Sequence, residues 1–114
     1  GEQSRDFVFV ENVVDANILA SKVPGVSGQV FNVACGETIS VVELLRLICQ
    51  ELDMPFAPEF LPARVGDVLH SWADISATQR DLGYTVRVKL PEGLKQTLAY
   101  YKQSAPQPEL CTAR

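Results

Sequence analysis

The chain is short of the residues that build metal centres and disulfide frameworks. It has three cysteines and one histidine in 114 residues. Cys35, Cys49 and Cys111 form an odd set without metal-ligand spacing, and His70 stands alone, so neither a zinc site nor a disulfide framework is supported. Such cysteine usage suits a reducing compartment, and we expect a cytoplasmic protein. Positive charge is also scarce. Ten lysines and arginines lie scattered against fourteen acidic residues, for a net charge of -4. A non-specific hold on nucleic-acid phosphates is therefore excluded, and any phosphate recognition has to be local. No apolar run approaches the roughly eighteen residues of a membrane span and no signal peptide is visible, so we expect neither spanning nor export. The first residue is Gly1 rather than Met, and we read the chain as a piece of a longer protein.

What is present is ordinary for one small globular unit, with 46% hydrophobic and 21% charged residues. Arg5-Asp6-Phe7-Val8-Phe9-Val10 is rich in strand formers and predicts a short strand. A helix follows, with Val10, Val13, Val14, Asn17 and Ile18 on one stripe, ended by Pro24-Gly25 and Ser27-Gly28. Asn17 on that stripe is expected to be a core amide satisfied by backbone. Gln29 to Ala34 predicts the clearest strand. Ser40-Val41-Val42-Glu43 fits a capping box. The helix it opens should bury Val41, Leu44, Leu45, Ile48 and Leu52, and stop before Pro55. Phe56 to Leu61 predicts another strand, with Pro58 tolerable only at an edge or a strand start.

Asp74 or Ser76 should cap a short helix that exits at Gly83. Val86-Arg87-Val88 predicts a brief extended piece. Pro91 should open a final helix with Leu94, Leu98 and Tyr101 inward. From Ser104 to Arg114 the prolines among polar residues predict a flexible tail, leaving residues 1–103 as the folded segment.

The chemistry concentrates in Arg64-Val65-Gly66-Asp67 and the residues after it. A guanidinium matches phosphate oxygens, a nearby carboxylate accepts from sugar hydroxyls, and glycine between them allows a tight turn. A solvated turn with a surface ion pair would use the same residues, and the string alone does not separate the two.

With its neighbours the string becomes specific. Arg64-Val65-Gly66-Asp67, then Ala73-Asp74-Ile75-Ser76, then Leu82-Gly83-Tyr84 resembles the carboxyl-terminal signature of the extended short-chain dehydrogenases that epimerise or dehydrate nucleotide sugars. Arg5 to Val10, Val30 to Gly36, and Pro91-Glu92-Gly93-Leu94 with Tyr100 or Tyr101 agree in order, so the resemblance covers about residues 4 to 103. It implies an α/β fold class, more closely an α+β fragment. That is the substrate lobe of a Rossmann-type enzyme, with short strands, about four helices and no complete Rossmann domain.

The resemblance also implies roles. Arg5 and Arg64 would clamp a diphosphate and Asp67 would hold the ribose. Ser71 would line the pocket near the sugar C2 group, where a small residue leaves room for an acetamido substituent. Glu11-Asn12 ahead of the first helix points to the same subgroup, the UDP-N-acetylglucosamine 4-epimerases. Ala77-Thr78 stand where the family often has lysine. A salt bridge with Asp6 or Glu11 is the rival use of Arg5, and His70 is expected to pack or hydrogen-bond rather than catalyse.

These enzymes oxidise the sugar with NAD, which requires a glycine-rich turn between strand and helix and a tyrosine with lysine four residues on. Gly25-Val26-Ser27-Gly28 lacks the third glycine and precedes a predicted strand. Tyr84 is followed at that distance by Val88, and Tyr100 and Tyr101 by Ser104 and Ala105. We therefore expect no cofactor on this chain alone and no turnover. The partners expected are a UDP-sugar, held weakly or not at all in isolation, and a second copy covering residues 7–10 or 30–34, with no nucleic acid and no membrane. A stand-alone binding module, a structural remnant serving a cofactor-binding chain, and a dehydratase or reductase relative stay open as alternatives.

Overall fold

The computed structural model describes residues 1–62 and 65–104, which places Arg64 and the tail from 105 onward outside the described residues. A three-stranded sheet and four helices make up the regular structure described. The strands are β1 (Ser4–Arg5), β2 (Ile39–Ser40) and β3 (His70–Ser71). The central strand is β1. It pairs antiparallel with β2, Ser4 opposite Ser40, and parallel with β3, Ser4 opposite His70 and Arg5 opposite Ser71. The expected strand from Arg5 to Val10 thus shrinks to its first residue. Asp6 explains the exit: its carboxylate oxygens accept from Cys35 N and Gly36 N, both at 2.8 Å, which turns the chain away from the ladder.

Helix α1 spans Val10–Lys22. Its inward face is not the predicted one: Val10, Val14 and Ile18 are exposed, while Asn12 and Ala16 are buried. Side-chain hydrogen bonds set the helix's rotation. Asn12, fully buried, donates to Val88 O at 2.7 Å and accepts from Arg87 N at 3.1 Å and Val88 N at 3.0 Å. With position 12 locked inward, Ala16 and Leu19 follow on the same face at helical spacing and reach the core. Asn17 is exposed and donates only to Val13 O one turn back, so the core amide of this helix is Asn12.

The segment 29–34 is irregular, bends at Ala34 and lies in no ladder, contrary to the expectation of a strand. Strand assignment needs a hydrogen-bonded neighbour, and among the described residues the sheet contains only β1, β2 and β3. Side chains hold it instead. Tyr84 Oη donates to Ala34 O at 3.0 Å, and the Thr78 hydroxyl donates to Asn32 O. Ala34 joins Ala16, Ile75 and Tyr84 in the core, with Leu19, Val33, Ala73 and Val86 packed against it.

Helix α2 (Val41–Leu52) opens on the predicted capping box, with Glu43 N donating to Ser40 Oγ and Ser40 N to the Glu43 carboxylate. It closes on Asp53 in the left-handed region at φ 53°, two residues before Pro55. Its apolar face is only half-covered: Leu44, Leu45, Ile48 and Leu52 are partly buried and Val41 is exposed. Residues 56–61 form no strand. Prolines at 55 and 58 supply no N–H to a ladder, Phe60 and Leu61 are exposed, and Phe56 lies 4.3 Å beneath the Arg46 guanidinium.

Helix α3 (Ser76–Leu82) ends at Gly83 with φ 68°, as expected. Asp74 Oδ1 accepts from Ser76 N at 2.9 Å from just outside the helix, so Ser76 is the first helical residue rather than the cap. The extended piece at 86–88 joins no sheet and is held by Asn12. Helix α4 runs Leu90–Ser104, with Pro91 in its first turn. Ser104, expected to begin the tail, is its last residue. Leu94 and Leu98 are half-buried, but Tyr101 is exposed and meets Tyr100 edge to face at 5.6 Å between centroids.

Candidate functional site

The parallel register of β1 with β3 sets Arg5 opposite Ser71, and the loop before β3 returns Asp67 to the same edge. Arg5 Nη2 donates to Asp67 Oδ1 at 3.1 Å, and Nη1 donates to Ser4 O at 2.8 Å and Leu69 O at 3.4 Å. The ion partner of Arg5 is therefore Asp67, not Asp6 or Glu11: Asp6 is committed to Cys35 and Gly36, and Glu11 lies on α1. Gly66, with φ 85° and open space where a Cβ would stand, makes the turn that brings the loop back. Ser4 N donates to Leu69 O at 2.8 Å, and Ser4 Oγ lies 2.9 Å from His70 Nδ1. His70 is thus occupied in joining the strands. Ser71 and Trp72 are exposed beside it.

Three of the four expected site residues, Arg5, Asp67 and Ser71, meet at one surface edge. Arg64 lies outside the described residues. The arrangement is open. The larger cavity, about 680 Å³, is an apolar groove between residues 7–10, α2 and α4, away from this edge. What the edge offers is a guanidinium beside a carboxylate, the donor and acceptor pair that phosphate and ribose require.

Two structural residues escaped the sequence reading: Asp6, which grips Cys35 and Gly36, and Asn12. Their partners lie about thirty and seventy-five residues away, beyond any local pattern. Burial first, then the carboxylates of Asp6 and Glu37, push the Cys35 thiol up from the ordinary value, and Sγ donates to Phe7 O.

The nicotinamide cofactor implied by the resemblance does not fit the described residues. Gly25 and Gly28 both take positive φ, but they lead into the irregular segment 29–34 rather than a helix N-terminus that would face a pyrophosphate. The Tyr84 hydroxyl is buried and bound to Ala34 O. No group of three or more metal-ligating side chains forms among the described residues, and no described helix is long and apolar enough to cross a membrane.

No family model matches the chain. Individual proteins do. It is 37% identical over 105 residues to a UDP-glucose 4-epimerase of Mycolicibacterium smegmatis, covering 92% of the chain and 33% of that protein. The crystal structure of a Thermotoga maritima UDP-glucose 4-epimerase with UDP-glucose superposes with a TM-score of 0.85 at 35% identity, over 93% of the chain and 34% of that protein. A UDP-N-acetylglucosamine 4-epimerase of Methanobrevibacter ruminantium, in complex with UDP-N-acetylmuramic acid, gives 0.82 at 32% identity over 91% and 33%. The chain spans about a third of the length of the curated relatives it matches. By sequence and by backbone it belongs with the NAD-dependent UDP-sugar 4-epimerases of the short-chain dehydrogenase family, matching their carboxyl-terminal third.

Proposed function

We propose that this chain is the nucleotide-sugar recognition portion of a 4-epimerase, holding a UDP-hexose or UDP-N-acetylhexosamine while the cofactor and the proton-transferring residues belong to a unit outside these 114 residues. The supporting observation is the β1–β3 register, which assembles Arg5, Asp67 and Ser71 on one edge. Arg5, with Arg64, takes the diphosphate; Asp67 accepts from the ribose; Ser71 leaves room at the sugar C2 group. Titration of ¹⁵N-labelled protein with UDP tests the reading. We expect saturable shifts clustered at residues 4–5 and 65–71, with millimolar affinity because half the pocket is absent. No shift at those residues refutes it, and micromolar affinity makes the chain a self-sufficient binding module instead. Replacing Ser71 with Tyr should weaken UDP-N-acetylglucosamine more than UDP-glucose, by about 1–3 kcal/mol.

A second reading, self-association, is favoured by the segment 29–34, which joins no sheet among the described residues and leaves Val30 93% exposed. Light scattering across a concentration series tests it, and a monomer at high concentration refutes it.

A further inference from the structure

The Arg5 guanidinium is fastened more firmly than a freely swinging phosphate clamp. Of the five N–H donors a guanidinium carries, three are engaged among the described residues, by Ser4 O, Leu69 O and Asp67 Oδ1. All three acceptors lie on β1 or on the approach to β3. The two donors left over suffice for one two-pronged contact with phosphate oxygens. The two backbone acceptors both hold Nη1, and one of them is long, so the Asp67 contact on Nη2 is the second anchor that steadies the plane of the fork. Among the described residues Asp67 makes its side-chain hydrogen bond through Oδ1, leaving Oδ2 for a ligand.

We propose that Asp67 is a positioning residue for Arg5 as well as a ribose acceptor, so that one carboxylate couples the diphosphate and ribose ends of the site. The proposal rests on the nucleotide-binding reading above. Two effects of Asp67 on a bound anion oppose each other. Its charge repels phosphate, while its contact aims the guanidinium at it. The two side chains are 31% and 43% exposed, so water and salt weaken the repulsion, whereas without Asp67 the guanidinium keeps only its two Nη1 bonds, one of them long, and its aim loosens. Orientation outweighs repulsion.

Inorganic pyrophosphate separates the two roles because it has no ribose. An Asp67 that only holds ribose predicts that Asp67→Ala leaves pyrophosphate affinity unchanged or raises it. An Asp67 that positions Arg5 predicts a loss. In NMR titrations of the whole chain we expect Asp67→Ala to weaken pyrophosphate about three- to fivefold, the upper part of the range for a partly exposed pair. We expect Asp67→Asn, which retains an acceptor oxygen, to recover at least half of that loss. UDP, which loses the ribose contact too, should weaken about tenfold in Asp67→Ala. Unchanged or tighter pyrophosphate binding in Asp67→Ala overturns the proposal. If wild-type UDP shifts still cluster at residues 4–5 and 65–71, the positioning role alone falls; if they do not, the nucleotide reading falls with it. Unchanged amide spectra outside residues 65–71 exclude unfolding as the cause.

Discussion

Asn12 and Asn17 share helix α1 but stand in opposite settings, which makes them a matched pair for testing what orients this helix. Removing the Asn12 side chain strands two backbone donors, Arg87 N and Val88 N, and one acceptor, Val88 O, in a partly buried place. Each orphaned group costs about 1–3 kcal/mol when shielded from water and little when water replaces the partner. Arg87 is exposed, so water relieves one of the three. Val88 is only partly buried, so the other two groups cost nearer the lower end, and the expected loss for Asn12→Ala is about 2–4 kcal/mol. With a urea slope of about 2 kcal/mol/M, the middle of the range for a small domain, the denaturation midpoint should fall by about 1–2 M when followed by far-ultraviolet circular dichroism. Asn17→Ala removes one exposed bond within the helix and adds a better helix former, so its midpoint should stay within about 0.3 M of wild type. Equal midpoints for the two variants would refute the claim that Asn12 sets the rotation of α1.

Three further outcomes follow from the packing. Gly93→Ala places a Cβ 2.7 Å from Phe9 Cβ, so Phe9 or α4 must shift; the overpacking cost of about 1–3 kcal/mol should exceed the gain of about 1 kcal/mol in helix propensity and lower the melting temperature. Tyr84→Phe removes the buried bond to Ala34 O and should destabilise by about 1–2 kcal/mol. Burial raises the Tyr84 hydroxyl above its ordinary value of 10.0, so an absorbance titration should show a tyrosine step above that value that vanishes in Tyr84→Phe. The bonds from Ser40 hold the Glu43 carboxyl below its ordinary value of 4.5. A depressed carboxylate adds stability that is complete above the unfolded value and lost as pH falls through the folded one. The stability gap between wild type and Ser40→Ala should therefore narrow below about pH 4.5 in acid-titrated unfolding curves, and a constant gap would refute the link.

The features legible in the sequence are those whose causes are local. The Ser40–Glu43 box spans three residues, the Gly83 exit needs only a residue that tolerates positive φ, and both stand where expected. The 29–34 segment has the composition of a strand, but a ladder needs a neighbour that composition does not name. On α1 the period was right and the phase wrong. Apolar spacing marks Val10, Val14 and Ile18 as a face without saying what covers it, and the distant partners of a single amide turned that face outward. Of the site, the residue identities were visible through resemblance. Their meeting was not, because Arg5 and Asp67 touch across sixty-two positions through a two-residue strand pairing.

The segment 29–34 is ordered before it has a neighbour. Tyr84 and Thr78 grip its carbonyls from one side, and the Asp6 carboxylate holds the amides just beyond it. A strand arriving at the free side therefore meets a ribbon whose backbone entropy is already spent, and each new ladder bond acts nearly at full value. The same readiness is indiscriminate. Gln29 to Ala34 contains no charge and no proline that would repel an unintended strand.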